Sequence, residues 1–74
     1  MADEKERLYM IGKNIALIRK ERRFTQRELA ERCDLSREYI GQIERGETNT
    51  TLSVLFKIAD ALNAYLDISW TPRK

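Results

Sequence analysis

The run "SREYIGQIER", from Ser36 to Arg45, gathers the side chains of this sequence best suited to recognition chemistry. On a helical wheel at about 100° per residue, Arg37, Glu38, Gly41, Gln42 and Arg45 share one arc. Ile40 and Ile43 share the opposite arc, with Tyr39 at a margin. The polar arc carries hydrogen-bonding forks that can read base edges in a DNA major groove: Arg on guanine, Gln on adenine, Glu accepting from cytosine. Gly41 is unusual there, since glycine inside a helix costs roughly 1 kcal/mol against alanine. It is either a device for close approach to a groove or a tolerated surface glycine.

Catalysis has little to work with. The chain has no histidine and one cysteine, and it shows no glycine-rich phosphate loop and no carboxylate pair in a pocket-forming context. No metal-ligand spacing is present either. The expectation is a non-enzymatic protein with no cofactor, no metal and no small-molecule substrate. Cys33 falls on an apolar helical face and reads as a small buried hydrophobe in a reducing, cytoplasmic setting.

The elements that position these residues follow from the apolar spacing. Leu8, Ile11, Ile15 and Ile18 make one helical stripe, ending in Arg19, Lys20, Arg22 and Arg23, cations that suit a helix C-terminus. The opening "MADEKER" either extends that helix or frays. Thr25 with Glu28 three residues on is a capping box, opening a second helix through Leu29, Ala30 and Cys33. Asp34 and Leu35 form a short break, and Ser36 caps a third helix that stops at Gly46. A polar loop, "GETNTT", leads to a fourth helix starting near Thr50 or Thr51 and burying Leu52, Leu55, Phe56, Ala59 and Leu62. In "AYLDISWT" the period changes to two, with Leu66, Ile68 and Trp70 alternating with polar neighbours. That pattern predicts a strand over about 64–71, ended by Pro72.

With 74 residues the chain is expected to be one domain, spanning 1–74, with a core small enough that a partner subunit would help it. Fourteen Lys and Arg against twelve Asp and Glu leave a net charge of +2, so distribution matters more than the sum. No apolar run approaches membrane-spanning length, and the acidic start does not suit a secretory signal.

The stretch "TQRELAERCDLSREYIGQIERG", about 25–46, resembles the helix-turn-helix of the Cro/C1-type (XRE) DNA-binding family. Gln26, Leu29-Ala30, Leu35-Ser36, Ile40, Ile43-Glu44 and Gly46 stand in register, and the likeness runs from about Ile11 to Leu62. Asp34 departs from the family, which usually places glycine in the turn. The fold this implies is all-α: a four- to five-helix, lambda repressor-like domain, here with a short C-terminal strand. The resemblance implies that Arg37, Glu38 and Gln42 face the bases from helix 36–45. It places Gln26, Arg27, Arg45 and Asn49 on the DNA backbone, with Tyr39 divided between packing and a phosphate contact. Arg19 and Glu44 match a family pair, read here as a structural salt bridge.

One reading helix covers only a few base pairs, so a homodimer on a palindromic operator is expected, with half-sites about 34 Å apart. The strand would pair with its copy in a second subunit, turning Leu66, Ile68 and Trp70 into a shared core; an irregular tail lying on its own subunit is the alternative. The implied function is a transcriptional regulator, a repressor of double-stranded DNA targets, cytoplasmic and nucleoid-associated. A fourth helix followed by a strand also resembles Hip-type antitoxins, which bind a toxin and repress their own operon. "REYIGQIERGETNTTL" resembles restriction–modification controller proteins as well, and both branches stay open.

Overall fold

The structure, a computed structural model, describes residues 3–73; Met1, Ala2 and Lys74, the ends of the expected domain, lie outside the described residues. Four helices follow in order: α1 (Glu4–Glu21), α2 (Gln26–Cys33), α3 (Arg37–Glu44) and α4 (Leu52–Ala61). Each opens in the same way. The side chains of Asp3, Thr25, Ser36 and Thr51 accept from the amides of Glu6, Glu28, Tyr39 and Val54, supplying partners for donors that a helix start leaves free. At α2 the box closes, because Glu28 Oε1 accepts from the Thr25 amide at 2.8 Å. The acidic opening therefore extends the first helix instead of fraying.

Each helix also ends in the same way. Arg23, Asp34, Gly46 and Asn63 adopt positive φ. The following amides, of Phe24, Leu35, Glu47 and Ala64, reach back to the carbonyls of Arg19, Ala30, Gln42 and Ala59 at 2.9–3.1 Å. This closes the last turn and sends the chain off sharply. Asp34, at φ 57° and ψ 42°, does at the α2–α3 turn what a glycine would do with less strain.

The core lies where α3 meets α1 and α2, and where α2 meets α4. Leu29, Ala30, Cys33, Ile40, Ile43, Ile58 and Leu62 are buried, with Ile15, Ile18, Phe24, Leu35 and Val54 packed around them. Full burial of a side chain such as Leu29 or Ile40 contributes about 1.5–3 kcal/mol. Ala30 lets α3 approach α2 closely. Gly12 does the same on α1: a Cβ there would overlap the Ile43 carbonyl oxygen and stand 2.5 Å from that of Glu44. Gly46 serves twice, since its φ is +71° and a Cβ would stand 2.6 Å from the Tyr9 Cα.

Two expectations fail. On α4, Leu52 and Phe56 are 55% and 46% exposed, and Ile58 is the deeply buried residue. Spacing finds an apolar stripe, but the covered part of it depends on how α4 is rotated against α2. The second failure is the strand over 64–71: among the described residues there is no strand. Past the Ala64 amide, the tail makes no ladder bond to a neighbouring backbone among the described residues, and a period of two cannot make a strand without one. Leu66 is half-buried in a largely apolar groove of about 520 Å³ between α1 and α4. Ile68 and Trp70 stand in solvent, Trp70 at 89% exposure. Within this chain the tail is irregular, as the alternative reading had it.

Candidate nucleic-acid interface

The base-reading candidates come together. Arg37, Glu38 and Gln42 are exposed on α3, while Ile40 and Ile43 of the same helix are buried. The three line one shallow hollow of about 240 Å³ with Gln26, Gly41 and Arg45. Arg37 also lines a second hollow with Arg19, Thr25, Gln26 and Arg27. A continuous polar surface with Arg27, Arg37 and Arg45 on it thus runs from the start of α2 across α3.

What fixes this surface is a buried charge at its back. The Glu44 carboxylate takes Arg19 Nε at 2.7 Å and Arg19 Nη2 at 3.2 Å, and Gln26 Nε2 donates to it at 3.0 Å. Arg19 Nη1 further donates to the Phe24 carbonyl at 2.8 Å. With the two side chains at 11% and 6% exposure, this pair is bidentate and nearly dry. It ties the end of α1 and the start of α2 to the last turn of α3, so α3 sits in a fixed orientation. Gln26 thus braces α3 from the start of α2.

Tyr39 is half-buried against the core, and its hydroxyl donates to Thr50 Oγ1 at 3.1 Å. That bond ties α3 to the loop before α4. Asn49 is exposed in that loop, beside Arg45's end of α3. Arg45 itself pairs with Glu47: Nε donates to Oε2 at 2.9 Å. The hydrogen bond to Arg45 holds the Glu47 carboxyl below its ordinary value, and the one to Glu47 raises Arg45.

Gly41 is not the open surface glycine that one reading made it. It is buried, because the Arg45 guanidinium lies over it: a Cβ there would stand 3.0 Å from Nη1 and 3.7 Å from Cζ. The missing side chain makes room for an arginine of the same helix. Gly12 and Glu47 were missed altogether. The first was signalled by a glycine inside a helical pattern, which often marks close backbone approach. Glu47 had no signal beyond an acidic residue two positions from Arg45.

Residues 15–68, most of the chain, match the HTH_3 helix-turn-helix family model. The chain belongs to this helix-turn-helix family. It is 50% identical over 52 residues to the immunity repressor protein of Bacillus phage phi105, an alignment covering 70% of this chain and 36% of that protein. Against control protein C.SmaI of Serratia marcescens it is 43% identical over 54 residues, covering 73% of this chain and 64% of that protein. The chain therefore spans about a third of one of these helix-turn-helix relatives and just under two thirds of the other. The restriction-modification controller protein C.AhdI from Aeromonas hydrophila has the same fold, with a TM-score of 0.82 and 31% identity over 86% of this chain and 93% of that one.

Proposed function

We propose that this chain is a non-enzymatic, sequence-specific DNA-binding transcriptional regulator, a repressor that binds palindromic operator DNA as a homodimer. The observation that carries the reading is the exposed polar face of α3, with Arg37, Glu38 and Gln42 in one hollow and the helix braced from behind by Arg19, Gln26 and Glu44. In this role α3 enters the major groove, and its three side chains meet base edges. Arg27, Arg45, Asn49 and the second amide hydrogen of Gln26 hold phosphates and set the register. The Tyr39 hydroxyl holds the loop through Thr50 and reaches the backbone only as part of that loop.

The homodimer is supported by apolar surface that one chain leaves uncovered. Tyr65, Ile68 and Trp70 project from the tail, near the groove between α1 and α4. A second copy covering the tail would supply the two-fold symmetry that a palindromic operator calls for. As a second reading, the same tail suits a toxin-like protein partner, as in an autoregulating antitoxin. The likeness to C.AhdI over nearly all of that chain supports a restriction–modification controller role. Each of these readings expects a cytoplasmic, nucleoid-associated protein. Among the described residues no helix is long and apolar enough to cross a membrane.

Selection of binding sites from random duplex DNA at physiological salt tests the proposal. A palindrome with half-sites one helical turn apart is the expected outcome. A single half-site would remove the dimer, and no enrichment would remove DNA reading by α3.

A further inference from the structure

The surface proposed to meet DNA already holds an anion of its own. Arg45 Nε donates to Glu47 Oε2, with the two side chains 57% and 55% exposed. The Glu47 amide is bound to the Gln42 carbonyl at 2.9 Å, so backbone geometry keeps that carboxylate close to the end of α3. Gly41 leaves the guanidinium a flat seat, and from it Arg45 lines the hollow shared with Arg37, Glu38 and Gln42. A carboxylate and a phosphate compete for the same guanidinium edge.

Resting on the DNA-binding reading above, we propose that Glu47 is an internal competitor for phosphate: Arg45 exchanges the Glu47 carboxylate for a DNA phosphate on binding, which holds down affinity for duplex of any sequence. A carboxylate and a guanidinium are both charged near neutrality, and their hydrogen bond moves each further from it, lowering Glu47 and raising Arg45. An exposed ion pair of this kind shifts an equilibrium by a factor of about 1.5–5. The exchange does not change the salt dependence. Each neutralised phosphate releases about 0.9 of a counterion from the DNA. Arg45 neutralises the same phosphate whether or not Glu47 held it beforehand, so its share is unaltered.

The test measures binding of the full chain to a random-sequence duplex between about 50 and 200 mM salt. It uses the unaltered protein, Glu47→Gln, Arg45→Ala and the double variant. Glu47→Gln is expected to bind about two- to fivefold tighter. Its log–log salt slope should stay the same, because Arg45 neutralises the same phosphate in both proteins. In the Arg45→Ala background the same change should alter affinity by less than about 1.5-fold, at the bottom of the range for such a pair. Equal tightening with and without Arg45 would overturn the proposal, since Glu47 would then act only as a distant charge. So would no tightening at all. Failure of the DNA reading looks different: the unaltered protein would bind no duplex even at the lowest salt, which overturns both claims.

Discussion

A methyl group at Gly12 has nowhere to go. It would be driven against the carbonyls of Ile43 and Glu44, which are backbone and cannot swing aside. Gly12→Ala is therefore expected to destabilise the fold by about 3 kcal/mol, the upper part of the range for overpacking, in urea unfolding. A loss below about 0.5 kcal/mol, the scale of an ordinary surface change, would mean that α1 and α3 part easily. Gly41 faces a different neighbour, the end of a flexible arginine, so the same substitution there moves a side chain and leaves the backbone alone. From the sequence only Gly41 stood out, and Gly12 passed unread. The difference lies in what packs against them, which spacing does not encode.

The elements were legible wherever a signal was local. Thr25, Ser36 and Thr51 cap the helices that their positions suggested, and Asp34 takes the left-handed turn at the expected place. Signals that depend on a neighbour were misread. Arg22 looked like a cation at the end of its own helix. In the structure its Nε donates to the Leu62 carbonyl at 2.9 Å and its Nη2 to that of Asn63 at 3.1 Å, so it closes the far end of α4. The capping box of α2 gives a prediction at this scale. Glu28 accepts from the Thr25 amide, and this, followed by the Thr25 hydroxyl, lowers its pKa below the ordinary 4.5. A group with a depressed folded pKa contributes stability that is present above the unfolded value and is lost as pH falls through the folded one. The Tm gap between the unaltered protein and Glu28→Gln should be full at neutral pH and close as pH drops below 4.5. A gap that persists unchanged at low pH would show that the carboxylate charge is not what caps α2.

At the scale of the whole molecule, the all-α architecture and the exposed polar face of α3 were both visible in the sequence, because one register of polar and apolar residues fixes both sides of α3. The tail was not. Alternation of Leu66, Ile68 and Trp70 described a strand's side-chain pattern, but the described residues offer no backbone partner for it. Exposed Ile68 and Trp70 nevertheless give the proposed dimer a test. Trp70→Asp should leave the helical fold intact and lower self-association at least tenfold in sedimentation equilibrium, the loss of about 1.5–3 kcal/mol from one large buried side chain. Unchanged association would move the subunit contact elsewhere, with Leu52 and Phe56 of α4 the next surface to alter.

The central claim is that α3 reads bases with Gln42 while Arg45 holds the backbone. The measurement that tests it most directly compares Gln42→Ala on the selected operator and on random duplex at one salt concentration. The account predicts a loss of about 1–3 kcal/mol on the operator and almost none on random DNA, whereas Arg45→Ala weakens both alike. Equal losses from Gln42→Ala on both duplexes would contradict it.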